Sequence, residues 1–262
     1  MSDGDSNHEM TFWDHLDVLR NMLFRVAIVI AILMIIVFFS KDFVFGSVIF
    51  SPSDSDFCLY RWLCKLGESL NMPEFCPEPF KIEIININLS AQFFTHMSAS
   101  FWLGLILAFP YFLYEIWRFV CPALYKKEKR YIRVAFGFGG ILFFMGVLLG
   151  YFVIFPLTLK FLGTYQVTET VVNQISLSSY ISTFTSLILI MGVIFEIPMV
   201  ALVLSKLGVI RRPFLRKYRK HAIICSLILS AVITPSGDAF TLLMVALPLI
   251  LLYEFSILIV KK

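Results

Sequence analysis

Apolar residues fall in long runs along the chain, and polar stretches between them hold most of the charges and turn residues. A helix rises 1.5 Å per residue, so crossing a hydrocarbon core of about 30 Å takes roughly 20 apolar residues. Residues 22–40 meet this requirement, with no charge after Arg25. Residues 93–117 form a second run, where Pro110 removes a backbone donor and predicts a kink. The third, 131–157, carries Gly137, Gly139, Gly140, Gly146 and Gly150, which let helices approach closely. The fourth, 178–204, contains Glu196 and Pro198. Two further segments, 221–233 and 239–260, flank the turn Thr234-Pro235-Ser236-Gly237-Asp238. The fifth holds only 13 residues, roughly 20 Å of helix, so its basic end must snorkel or the bilayer must thin around it. The pattern predicts six spans in one domain over residues 1–262. Extramembrane loops are expected at 41–92, 158–177 and 234–238, the first with room for short helices.

Composition supports a bilayer setting. Hydrophobic residues make up 59% of the chain and charged residues 15%, whereas soluble domains carry about 25% charged residues. A water-soluble fold of this length could not hide so much apolar surface. Lys and Arg are distributed very unevenly. Seventeen of the 22 fall at the termini and in the loops after the second and fourth runs, including Arg20, Arg118, Lys126, Lys127, Arg211 and Lys217. The other side holds only Lys41, Arg61, Lys65, Lys81 and Lys160. The positive-inside rule then places both termini in the cytoplasm and the loops at 41–92, 158–177 and 234–238 outside. Asp3, Asp5, Glu9, Asp14 and Asp17 precede the first run without a basic segment, so that run reads as an anchor and not a cleavable signal. Of five cysteines, Cys58, Cys64 and Cys76 share the first loop. Their spacing is compatible with one disulfide in an oxidising compartment or with free thiols throughout.

Catalysis finds little support. His8, His15, His96 and His221 join no metal-binding or nucleophile motif. The chain is expected to be no enzyme, with no cofactor, no metal and no nucleic-acid partner. Acids within spans are costly and mark functional candidates. Glu196 is the clearest, since Pro198 frees a carbonyl one turn earlier and makes that part of the helix polar. Glu115 and Glu254 sit beside Tyr114 and Tyr253 near span ends, where interfacial anchoring is the plainer expectation. Glu128 lies among Lys126, Lys127, Lys129 and Arg130, where a surface ion pair is the ordinary reading.

Several phrases resemble the TatC family, the core subunit of the twin-arginine protein translocase. They are Phe12-Trp13-Asp14-His15-Leu16-Asp17-Val18-Leu19-Arg20, Trp117 through Glu128 with Pro122-Ala123-Leu124-Tyr125, Tyr151-Phe152 with Phe155-Pro156, Phe195-Glu196-Ile197-Pro198, Thr234-Pro235 with Asp238, and Pro248 with Tyr253-Glu254. They occur in family order over about residues 11–256. The resemblance implies a concave six-helix bundle with short fifth and sixth spans in a bacterial cytoplasmic (inner) membrane. It also implies recognition of twin-arginine signal peptides and export of folded proteins driven by the proton-motive force. Single-span partners of the TatA and TatB type and a homo-oligomeric receptor complex would take part.

By the same resemblance, Glu128 with Asp14, Asp17, Leu19, Arg20, Phe94 and Phe119 would form the cytoplasmic signal site. A carboxylate suits that role because a guanidinium pairs with it bidentately. Glu196 would face a water-accessible concavity, Asp238 would be a polar functional group, and Pro52, Pro122 and Tyr125 would shape loops. The chain departs from the family at two positions. Val18 stands where the family has a glutamate, which Asp14, one turn away on the same face, would replace unless it caps the helix with Thr11. Leu242 stands where a glutamine is frequent. The alternative function is a proton- or ion-coupled secondary transporter with Glu196 as the coupling acid, and a structural scaffold is a third reading.

Overall fold

The computed structural model describes residues 12–69, 82–121, 129–166, 168, 173–234 and 237–260. Pro122, Tyr125 and Glu128 lie outside the described residues, and so does the side chain of Asp14. Apolar content and length dictate the main elements. The first run becomes α1 (Phe12–Phe39), which absorbs the amphipathic N-terminal phrase into one continuous helix. The second becomes α4 (Ala91–Val120), which carries Pro110 in its interior. The third is divided into α5 (Lys129–Leu149), a π-turn at Gly150–Ile154 and α6 (Phe155–Thr164). Pro156 at the start of α6 cannot donate to an α ladder, and the wider π-turn before it re-registers the backbone. The fourth run divides at Phe195-Glu196 into α7 (Leu177–Ile194) and α8 (Ile197–Lys206), with Pro198 opening α8.

Among the described residues, five helical segments are long and apolar enough to cross a membrane: Leu16–Phe39, Ala91–Val120, Ile132–Thr164, Leu177–Lys206 and Ala239–Ile259. The last corresponds to α11 (Ala239–Ile259), whose 21 residues span roughly 31 Å. This corrects the expectation of a short sixth span. The basic connection before it folds as α9 (Arg212–Lys217) and α10 (Arg219–Ile233). With 15 residues, α10 is about 22 Å long and remains the short element.

The core lies where α4, α5 and α7 meet, around Phe143, Phe155, Phe184, Leu187 and Met191. Phe109 of α4 stacks on Phe143 of α5 at 3.5 Å between centroids. Close approach of α5 and α7 depends on Gly146, because a Cβ there would collide with the Met191 backbone carbonyl. On its outer side α1 presents Phe24, Ile28, Ile32, Ile35, Ile36 and Phe39 to the surroundings, as a lipid-facing helix must.

The loop after α1 is structured. One-turn α2 (Lys41–Phe43), a π-turn at Val44–Ile49, a 3-10 turn at Ser51–Ser53 and α3 (Cys58–Ser69) follow in order. Strands β1 (Ile84–Ile85) and β2 (Ile175–Ser176) pair in parallel and join this loop to the one before α7. Pro52 is buried in the 3-10 turn. Beside it, Tyr151 and Tyr180 donate to the carbonyls of Val48 (2.9 Å) and Ile49 (2.6 Å). Tyr60 of α3 donates to Pro156 (2.8 Å). Burial raises the ionisation range of the Tyr60 phenol, which keeps it a donor. Cys64 is disulfide-bonded, whereas Cys58, Cys121 and Cys225 are free thiols. Of the two readings left open by the spacing, the disulfide is the one found.

Candidate functional site

The middle of α1 and the C-terminal part of α4 are joined by a half-buried cross-helix pair. Arg25 donates through Nε to Glu115 Oε1 (3.1 Å) and through Nη2 to Oε2 (2.8 Å). Tyr111, one turn earlier on α4, adds a third donor to Oε1 (2.9 Å), and Arg118 stands 3.9 Å from the same oxygen. The Glu115 side chain is 2% exposed and that of Arg25 40%. A planar guanidinium meeting both carboxylate oxygens fixes depth and rotation together. Interfacial anchoring, the plainer expectation for Glu115, therefore gives way to an interhelical lock. The signal was present in the sequence, as one arginine in the first run and one acid in the second, but pairing requires equal depth and facing azimuth.

Because α1 and α4 run antiparallel, residues before Arg25 and after Glu115 extend toward the same end. Asp17, Leu19, Arg20 and Phe119 therefore share that end of the bundle. Asp17 pairs with Arg20 at 3.3 Å, both side chains about two-thirds exposed. Leu19 and Phe119 are half-buried. Phe94 corrects the expected site. It lies in the first turn of α4, 25 residues before Phe119, which is roughly 37 Å along the axis. Its exposed ring touches Phe93 at 5.8 Å between centroids. A single helix crossing the bundle cannot bring both phenylalanines to one face of the membrane.

Glu196 sits at the junction of α7 and α8, and its two oxygens are buried with no hydrogen-bond partner among the described residues. Gly139 of α5 opens the space, since a Cβ there would stand 2.8 Å from Oε2 and 3.1 Å from Met199. The residue is 7% exposed, which corrects the expected water-accessible setting. Packing of α5 and α8 over the junction closes it. Leaving a polar group unpaired at this depth costs about 1–3 kcal/mol, so the carboxyl is retained against a penalty.

Asp238 caps α11, accepting from Thr241 N and Oγ1, both at 2.7 Å. Below it the other end of α11 is tied by Glu254 to Arg219 of α10, and by the Tyr253 hydroxyl to the Leu215 carbonyl (2.9 Å) of α9. Glu254, like Glu115, thus links helices. Among the described residues no cluster of three potential metal ligands occurs.

The family model described as "Sec-independent protein translocase protein (TatC)" matches residues 14–248. The Sec-independent protein translocase protein TatC of Blattabacterium sp. subsp. Periplaneta americana is 38% identical over 97% of this chain and 96% of its own length. The protein of the same name from Carboxydothermus hydrogenoformans is 31% identical over 96% of this chain and 93% of its own. Two crystal structures of a twin arginine translocase receptor, TatC, superpose with TM-scores of 0.70 and 0.73 at 32% and 33% identity. They cover 94% and 95% of this chain, and 97% and 100% of their own.

Proposed function

The chain belongs to the TatC family of Sec-independent protein translocase proteins, and from that premise we propose how it receives and passes on its cargo. Membership sets aside the secondary-transporter alternative. The chain binds the consecutive arginines of a twin-arginine signal peptide at the cytoplasmic end of α1 and α4, and performs no covalent chemistry. Glu128 supplies the main carboxylate, and Asp14 or Asp17 supplies the second that Val18 has lost. Exchange at Asp17 is cheap, because its exposed pair with Arg20 is worth only about 0–1 kcal/mol. Leu19 and Phe119 contribute apolar walls, while Pro122 and Tyr125 shape the loop that carries Glu128.

One observation carries this reading. The Arg25–Glu115 lock roots the Asp17 turn and the Phe119 turn side by side, so charges on α1 and on the loop after α4 can meet one ligand. Six spans with both termini inside, α10 counted as the fifth, complete the arrangement as one domain in the bacterial cytoplasmic membrane. The disulfide at Cys64 supports an oxidising exterior for the loop after α1. Docking at this site recruits further copies of the chain and TatA- and TatB-type single-span proteins beside α10 and α11. The assembled complex moves folded cargo at the expense of the proton-motive force. Glu196 and Asp238 contribute along the transport path, and the shortness of α10 thins the bilayer nearby.

The test is export of a folded reporter behind an Arg-Arg signal. Glu128→Ala abolishes export, and Lys-Lys in the signal weakens it because ammonium groups lose bidentate pairing. Asp14→Asn and Asp17→Asn tell which acid is used. Normal export by Glu128→Ala overturns the assignment of the site.

A further inference from the structure

On the face of α4 turned away from α1, a cleft of about 520 Å³ opens between α4 and α5. Pro110, Leu113, Tyr114 and Trp117 line it from α4, and Phe136, Gly137 and Gly140 from α5. Arg133, one turn inside α5, closes the end nearest the membrane surface and stands over the Trp117 ring at 4.9 Å. The guanidinium is exposed and has no carboxylate within ion-pair distance among the described residues. Trp117 holds its Nε1–H buried, with no acceptor among the described residues. Gly137 leaves open space where a side chain would project.

We propose that this cleft is a binding site for an anionic glycerophospholipid. Its phosphate sits on Arg133 and one acyl chain lies along Leu113, Phe136, Gly137 and Gly140. Charge complementarity selects the headgroup: an arginine with no carboxylate partner among the described residues attracts an anionic phosphate, and the low dielectric beside it strengthens the attraction. Polarity changes along the cleft as it does along a lipid, from cation and indole at one end to aliphatic and aromatic carbon at the other. The volume is that of a small-ligand cavity, whereas a docking helix would need an apolar face along the whole span. The Arg25–Glu115 lock lies on the opposite side of α4, so the lipid does not compete for the signal site. Occupancy would brace α5 against α4 at the end where the loop between them emerges.

The experiment is native mass spectrometry of the full-length protein released from detergent with dioleoyl phosphatidylglycerol or dioleoyl phosphatidylcholine added. The wild type retains phosphatidylglycerol about fivefold better than phosphatidylcholine, the preference expected from one basic group near the surface. Arg133→Gln removes that preference and Arg133→Lys keeps it. Gly137→Leu fills the cleft without backbone conflict and lowers retention of both lipids. Arg216→Gln, an exposed basic change on α9, leaves the preference intact. Equal retention of the two lipids by the wild type overturns the proposal, as does a preference that survives both Arg133→Gln and Gly137→Leu. Loss of the preference in Arg216→Gln to the same extent as in Arg133→Gln also overturns it, since general surface attraction would then account for the binding.

Discussion

At the scale of single residues, two buried acids behave in opposite ways. Glu115 has both oxygens on Arg25 and a tyrosine besides, so removing the arginine strands an acceptor. Arg25→Met should lower the unfolding midpoint, by less than the loss of a fully buried pair would because Arg25 is 40% exposed. Glu115→Leu should cost less, since the freed guanidinium can turn toward headgroups and water. The double variant should regain most of the Arg25→Met loss, and thermal unfolding of the purified protein in detergent measures all three. Strict additivity would mean the two residues are uncoupled. Glu196 has no hydrogen-bond partner to lose among the described residues. Glu196→Leu should therefore raise thermal stability by about 1–3 kcal/mol while lowering reporter export. A drop in stability would reveal a compensating contact.

At the scale of elements, close helix approach separates glycines of different kinds. A Cβ at Gly146 meets the Met191 carbonyl, which is backbone and cannot swing aside, whereas one at Gly137 meets nothing within 4 Å. Gly146→Ala should destabilise by about 2–3 kcal/mol and Gly137→Ala by little or nothing, compared as shifts in unfolding midpoint. The outer loop depends on tyrosine hydroxyls that satisfy carbonyls in places where regular ladders are interrupted. Tyr60→Phe removes the hydroxyl's bond to the Pro156 carbonyl and should cost about 1 kcal/mol. Faster proteolysis of the loop containing α3 would report the loosened clamp.

At the scale of the whole molecule, the excess of Lys and Arg at one set of loops predicts which way the bundle faces. With the free cysteines Cys58, Cys121 and Cys225 replaced by serine, Glu68→Cys should react with an impermeant maleimide added to intact cells. Lys217→Cys should react only after permeabilisation. The reverse pattern would invert the molecule and remove Glu128 from the compartment where signal peptides arrive.

The long apolar helices, the short α10 and family membership could all be read from the sequence. Hydropathy sums over neighbours in the chain, and the family phrases are local. Only the tertiary structure decided which side chains meet. Glu115 read alone is an interfacial acid, and Arg25 on a second helix at the same depth makes it a lock. Phe94 and Phe119 look interchangeable as aromatic span residues until a continuous α4 sets them at opposite ends. Glu196 is marked by its neighbours as unusual, but its burial depends on Gly139, 57 residues earlier. Contacts of this kind depend on the relative depth and rotation of two helices. A one-dimensional pattern encodes where each helix begins and which face is apolar, and packing alone sets how far one slides or turns against the next.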